Sequence, residues 1–334
     1  MTNNKIEDLF ELYNHLTVPS GTGDLYTARA INGHPRCRIA KDPQGNPALL
    51  FTARTVSRSI VDPPFDLRNL SFLPRCVCRV QVQDERESLE TLAVLKCLSE
   101  DQMLRQYFLR SMSGFISTLP IAPTEGDVAV AVRKLVDLFR ALEAPARKSL
   151  QGIWCELFLI SRSHNIRQVA TAWHPDPHAL YDFVAGLQRV EVKSCSNSLR
   201  AHYFSLDQLL PQEGTVTVIA SFVLNETGRG TSIADLWEEI SGRPELTVEI
   251  RERLSLILAL TLGRDWRKTR RVAFDTGLAA RQLRLFDSTS IPRVDPCLPA
   301  EVTDVKFKAE VTNVKHLSPI AVAQWGGLFA AMFG

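Results

Sequence analysis

Apolar and polar positions along the 334-residue chain follow two periods. Over residues 26–82, short pieces such as ALLFTART and CVCRVQVQ alternate every second residue between Pro and Gly turns. Alternation of that kind covers one face of a strand, so this stretch predicts a small β-rich domain. Ahead of it, MTNNKIEDLFELYNHL reads as an acidic-polar amphipathic helix rather than a leader peptide. Beyond it the spacing changes to three and four, predicting amphipathic helices over residues 89–119, 125–142 and 146–163. The last contains SLQGIWCELFLIS, with an apolar stripe at Leu150, Ile153, Trp154, Leu157 and Ile160. Glu156 falls at the border of that stripe, about 90° from its centre. Gly152, one turn earlier, leaves room for a close approach by a neighbouring element.

Residues 179–194, ALYDFVAGLQRVEVKS, read as a short strand, a reversal and a second strand. A two-residue type II′ turn with Gly186 first and Leu187 second fits the letters. Counting back from it pairs Val184 with Arg189 and sets Asp182 opposite Glu191. Side chains alternate across a strand, so Asp182, Glu191 and Lys193 share one face while Tyr181, Phe183, Val190 and Val192 share the other. Opposed β-carbons lie roughly 5 Å apart, which destabilises two like charges unless a cation sits between them. Mg²⁺, which prefers a few carboxylates and its own waters, meets that need. The strand TVTVIASFVL, residues 215–224, would extend the sheet.

An acidic residue two before a lysine is cheap, and about one is expected by chance in a chain this long. A second copy is present: Asp304 and Lys306 in TDVKFK, with Asp295 nine positions before Asp304. Its intervening DPCLPAEVT carries Pro296 and Pro299, which cannot donate to a ladder, so no paired hairpin joins those acids.

GIWCELFLI, YDFVAGLQRVEVKS, HYFSLDQLL and IPRVDPCLPAEVTDVKFKAEV together resemble the PD-(D/E)XK nuclease superfamily. More closely, they resemble a bacterial family of PD-(D/E)XK proteins associated with phage-defence and restriction gene clusters. The resemblance covers the last two-thirds of the chain. It implies an α/β (α+β) fold with a restriction-endonuclease-like core, a central mixed sheet flanked by helices. Glu156 would stand on the first helix and Asp182, Glu191 and Lys193 on the next two strands, these four being catalytic. Asp182, Glu191, the main-chain carbonyl of Val192 and Glu156 would hold Mg²⁺, with Mn²⁺ able to substitute. Lys193 would orient or deprotonate the attacking water. Arg200, His202 and Gln208 would lie near the phosphate, although Gln208 reads equally well as a first-turn residue behind a Ser205 or Asp207 cap. Tyr181 stands where the superfamily often has proline. The activity implied is Mg²⁺-dependent endonucleolytic cleavage of DNA, by a subunit of a restriction or anti-phage system. The alternative is a catalytically silent nucleic-acid-binding or assembly subunit, and a third reading is an RNA-directed or other phosphodiesterase.

Charge leaves the partner open, since a net +2 neither requires nor excludes DNA. The densest basic run, GRDWRKTRR with Lys268 and Arg271, reads equally as a cationic helix end or as phosphate contacts, and its Trp266 leans towards a base or sugar contact. Seven cysteines without C-x-x-C spacing suggest free thiols in a reducing cytoplasm. His174 and His178 in WHPDPH are separated by prolines that preclude paired helical ligands, so a loop before the catalytic strand is expected there. The closing AVAQWGGLFAAMFG is too short and interrupted to span a bilayer and reads as a docked terminal segment or a partner contact, with no membrane role. No G-x-x-x-x-G-K-[ST] loop is present, so any ATP requirement would come from a partner. Expected boundaries are an N-terminal β-rich domain over 1–95, a helical connector and nuclease core over 96–230, and a C-terminal helical and β appendage over 231–334. One site per chain would favour a homodimer, or protein partners from a defence system, for double-strand cutting.

Overall fold

The alternation of residues 26–82 closes into a barrel. In the computed structural model, which describes residues 8–54, 64–82, 87–174, 179–210, 213–294, 299, 302 and 304–334, the chain forms two compact units, Met1–Arg140 and Ala141–Gly334. The division falls at neither expected boundary. The first unit contains α1 (Leu9–Asn14), β1 (Leu25–Ile31), β2 (His34–Lys41), β3 (Pro47–Phe51), β4 (Phe65–Asp66), β5 (Leu70–Val82), β6 (Ser88–Cys97), α2 (Gln102–Thr118) and α3 (Glu125–Glu143). Its sheet runs β1-β2-β3-β6-β5-β4, and a parallel pairing of β1 with β5 closes five of the strands into a ring. Alternate residues point inwards: Tyr26 and Ala28, Ala48 and Leu50, Cys76, Cys78 and Val80, Leu92 and Val94 form one buried cluster.

The strand β6 corrects the expectation of a helix from residue 89. Its central Leu92, Ala93, Val94 and Leu95 are all buried. Leu92 and Val94 fill the barrel, while Leu95 faces Met112 and Ile116 of α2 and Val132 and Leu135 of α3. A strand covered on both faces shows a continuous apolar run, which periodicity alone cannot distinguish from a helix.

The second unit contains α4 (Leu150–Arg162), α5 (Ile166–Ala172), β7 (Phe183–Ala185), β8 (Gln188–Cys195), β9 (Ala201–Ser205), α6 (Leu206–Leu209), β10 (Val216–Val223), β11 (Glu226–Ser232), α7 (Ile233–Ser241), α8 (Val248–Leu262), β12 (Ala273–Phe274), α9 (Thr276–Gln282), β13 (Arg284–Asp287), β14 (Lys306–Glu310), α10 (Pro319–Ala323) and α11 (Gly327–Phe333). Its main sheet is mixed, in the order β13-β10-β8-β7. The turn pairs Ala185 with Gln188, Val184 with Arg189 and Phe183 with Val190. Gly186 has φ 56°, the left-handed value that the first position of a type II′ turn needs. β8 then runs parallel to β10, with Glu191 beside Ile219 and Lys193 beside Ser221.

The C-terminal segment is part of this core. β13 is an edge strand of the main sheet, antiparallel to β10, and β14 pairs with β9. The terminal α11 docks as expected, its Leu328 amide donating to Gln188 Oε1 at 2.6 Å and its Ala331 carbonyl accepting from the Asn165 amide at 3.0 Å. Among the described residues no helix is long and apolar enough to cross a membrane. Six cysteines are free; the seventh, Cys297, lies outside the described residues, as do Asp295 and His178.

One glycine fixes the approach to α4. Gly263 has φ 47°, and a β-carbon there would lie 2.2 Å from the Ala144 carbonyl oxygen, the acceptor of the Arg264 amide at 2.8 Å. Gly263→Ala is therefore expected to cost about 2 kcal/mol or more, from unfavourable φ and backbone displacement. Urea unfolding of the two proteins would check it, and an unchanged midpoint would contradict it.

Candidate metal centre

The helix α4 begins at Ser149, whose Oγ accepts from the Gly152 amide at 3.2 Å. Ile153 to Ser161 are all buried. Neighbours on every side, including α5, α7, α8, α11 and β8, enclose it, so the apolar stripe understates its burial. Glu156 is thus not at a rim but 1% exposed. A β-carbon at Gly152 would meet only the Ser149 hydroxyl at 3.4 Å, so the expected close approach there is not made.

Four groups converge on that carboxylate and on Asp182. Glu156 Oε2 accepts from Trp173 Nε1 at 2.8 Å and from His174 Nε2 at 2.9 Å. An ionised carboxylate only accepts, so this contact requires the proton on Nε2 of His174. Glu156 Oε1 lies 2.8 Å from Lys148 Nζ, which also bonds Asp182 Oδ1. Asp182 Oδ2 accepts from the Val192 amide at 2.7 Å, and its carbonyl accepts from the His174 amide at 2.9 Å. The ladder ends at Phe183, so the Asp182 carboxylate is fixed against β8 by that side-chain bond and not by a paired position opposite Glu191.

Glu191, 5% exposed, receives Lys193 Nζ on Oε1 at 2.7 Å, while its buried Oε2 has no donor. Lys193 also donates to Gln208 Oε1 at 3.3 Å and lies 5.2 Å from the Phe204 ring centre. The same Gln208 oxygen accepts from the Ser205 amide at 3.2 Å at the start of α6, the first-turn role its letters allow. One ligand-type cluster emerges among the described residues, Glu156, His174 and Asp182, with donor atoms within 4.8 Å of one another.

The electrostatics separate the two acids. Burial pushes the Glu156 carboxyl up, but the Lys148 charge and the His174 bond outweigh it and bring it down to about 2. Burial raises the Asp182 carboxyl well above the usual range, and the charges of Glu156 and Glu191 raise it further against the opposing pull of Lys148. Burial opposes the Lys148 charge, yet Glu156, Asp182 and Glu191 together hold the ammonium protonated well above its ordinary range. Three buried acids therefore crowd one place, where the Lys148 ammonium supplies positive charge to Glu156 and Asp182.

Other expected contacts are placed elsewhere. Arg200, 6% exposed, directs Nη1 to the Ser221 carbonyl and hydroxyl, both at 2.8 Å, and Nη2 to the Gln282 carbonyl. His202 is 3% exposed and meets Ser221 Oγ at 2.8 Å. Arg200, just before β9, and His202, on β9, brace this segment against β10. Trp266 is 7% exposed and packed inward, so it offers no stacking face. Lys268 pairs with Asp265 at 2.8 Å, and Arg271 is exposed.

Burial, aided by the Lys193 and Arg200 charges, lowers the His202 imidazole to about 4 from 6.5. The unfolded chain takes up a proton below about pH 6.5 that the folded one refuses, so this stability is present above that pH. It falls as pH drops towards 4, by about 3 kcal/mol in all. An NMR titration should find the His202 ring neutral at pH 5, and a charged ring there would contradict this.

Sequence reasoning missed two members of the centre. Lys148 directly precedes the helix cap, a position with no motif to mark it. The prolines preclude helical pairing of His174 with His178, but the connecting segment, with φ 39° at His174, carries that ring to Glu156 without it. No curated protein and no solved structure matches the chain. Residues 9–312 match the family model described as "Putative PD-(D/E)XK family member, (DUF4420)", and the chain belongs to that family.

Proposed function

We propose that the chain is a divalent-metal-dependent endonuclease acting on DNA, a subunit of a bacterial restriction or anti-phage system. The observation that carries this reading is the buried convergence of Glu156 and Asp182 beside Glu191, whose Oε2 has no donor. A buried carboxylate oxygen without a partner is costly, and a hard cation between Asp182 and Glu191 would relieve it. The donor set is therefore suited to Mg²⁺ or Mn²⁺, held by Asp182, Glu191 and the Val192 carbonyl, with Glu156 completing the shell. When bound, such an ion polarises a phosphate and lowers the pKa of a water.

The remaining work falls to the chain. Lys193, held by Glu191 and Gln208, would orient the attacking water and offset the charge gained at the phosphate. The Val192 amide and His174 would keep Asp182 and Glu156 from turning away. Arg271, exposed beyond α8, is a candidate phosphate contact, with Lys268 beside it. DNA as substrate is what a nuclease family would imply; protein partners or a homodimer for double-strand cutting belong to the same proposal.

A second reading has its own support: every Glu156 and Asp182 oxygen already has a protein donor, as a silent binding subunit would need. Supercoiled plasmid, unmodified and methylated, incubated with the purified chain and Mg²⁺, Mn²⁺ or EDTA separates them. Metal-dependent nicking that falls about 100-fold or more in Lys193→Ala is expected. Nicking unaffected by that substitution would contradict the assignment, and its absence with all metals would favour the silent subunit.

A further inference from the structure

Lys148 immediately precedes the cap of α4, and its side chain reaches the carboxylates that the proposed ion would use. Its ammonium bonds Asp182 Oδ1, lies 2.8 Å from Glu156 Oε1 and lies 3.4 Å from His174 Nε2. Those are the oxygens of Glu156 and Asp182 that would hold a divalent ion, so the ion would take the place the ammonium fills. Both carry positive charge, and their repulsion is strong in a buried setting. Lysine and metal cannot share that pair of oxygens.

We propose that Lys148 is an internal competitor of the metal, an ammonium that exchanges with the divalent ion at the Glu156–Asp182 pair and thereby sets its affinity. This rests on the metal-centre reading given above. Two features make exchange feasible. The Lys148 side chain is 32% exposed, so its flexible stem can swing the charge into water. Trp173 and His174 hold Glu156 by its other oxygen, so that carboxylate keeps its place when the lysine leaves. Lys148 thus counters the buried charge without metal and raises the metal concentration needed to fill the site.

Mn²⁺ affinity, read from the free-ion paramagnetic resonance signal without any substrate, tests this. Wild type, Lys148→Gln, Lys148→Arg and Lys148→Gln combined with Asp182→Asn would be compared, each checked for folding by circular dichroism. Lys148→Gln is expected to bind Mn²⁺ about tenfold or more tightly than wild type, and the double variant to lose it. Equal or weaker binding by folded Lys148→Gln would overturn the proposal. If that binding still depended on Asp182, the metal centre itself would stand. No binding by either folded protein at millimolar Mn²⁺ would overturn both. Should Lys148→Gln fail to fold, Lys148→Arg decides: its fork grips two carboxylates more firmly, so weaker binding than wild type is expected, and equal or tighter binding would overturn the proposal.

Discussion

Asp182→Asn is expected to abolish metal-dependent cleavage, by about a thousandfold or more, while the second unit stays folded. The substitution keeps the shape of the side chain and an oxygen able to accept from the Val192 amide, now at 2.7 Å. What it removes is charge, in a place where burial and two neighbouring acids already resist ionisation. Burial and those two acids already raise its carboxyl in the resting protein, so its neutral replacement should cost the fold little. Cleavage and thermal melting measured together check this. Residual activity within about tenfold of wild type would contradict the assignment of Asp182, and collapse of the melting transition would show the loss to be structural.

The largest effect on stability is expected at Glu156. Its carboxylate accepts from Trp173, His174 and Lys148 while 1% exposed. Glu156→Ala leaves the fully buried Trp173 indole N–H without an acceptor and Lys148 with one carboxylate fewer. Removing one partner from such a buried charged network costs about 3–5 kcal/mol. For a unit of this size that lowers the melting temperature by about 6–20 °C. Glu156→Gln retains an acceptor for the indole and should lose less than half as much. Melting curves of the two variants check both, and an Ala variant as stable as wild type would contradict the described burial.

Much of the hairpin was legible because its determinants are local. The two-residue turn, the pairing of Val184 with Arg189 and the burial of Phe183, Val190 and Val192 all follow from Gly186 and alternation. Glu156 was legible from its place in an apolar helix, though its full enclosure depends on elements from α5 to α11. What remained hidden is long-range. The parallel pairing of β1 with β5 joins strands about 50 residues apart in sequence, and β13 reaches the main sheet from beyond α9. Lys148 and His174 lie on connecting segments, where position is decided by what the flanking helices and strands pack against. Arg200, just before β9, and His202, on β9, turn to Ser221 in the core, a contact the letters RAHYF do not specify.

Mn²⁺ located by anomalous diffraction in crystals of the full chain tests the metal centre most directly. The expected result is a peak bonded at about 2.0–2.3 Å to oxygens of Asp182 and Glu191, absent in Asp182→Asn. A peak bound elsewhere, or none at saturating Mn²⁺ in a well-ordered site, would contradict it.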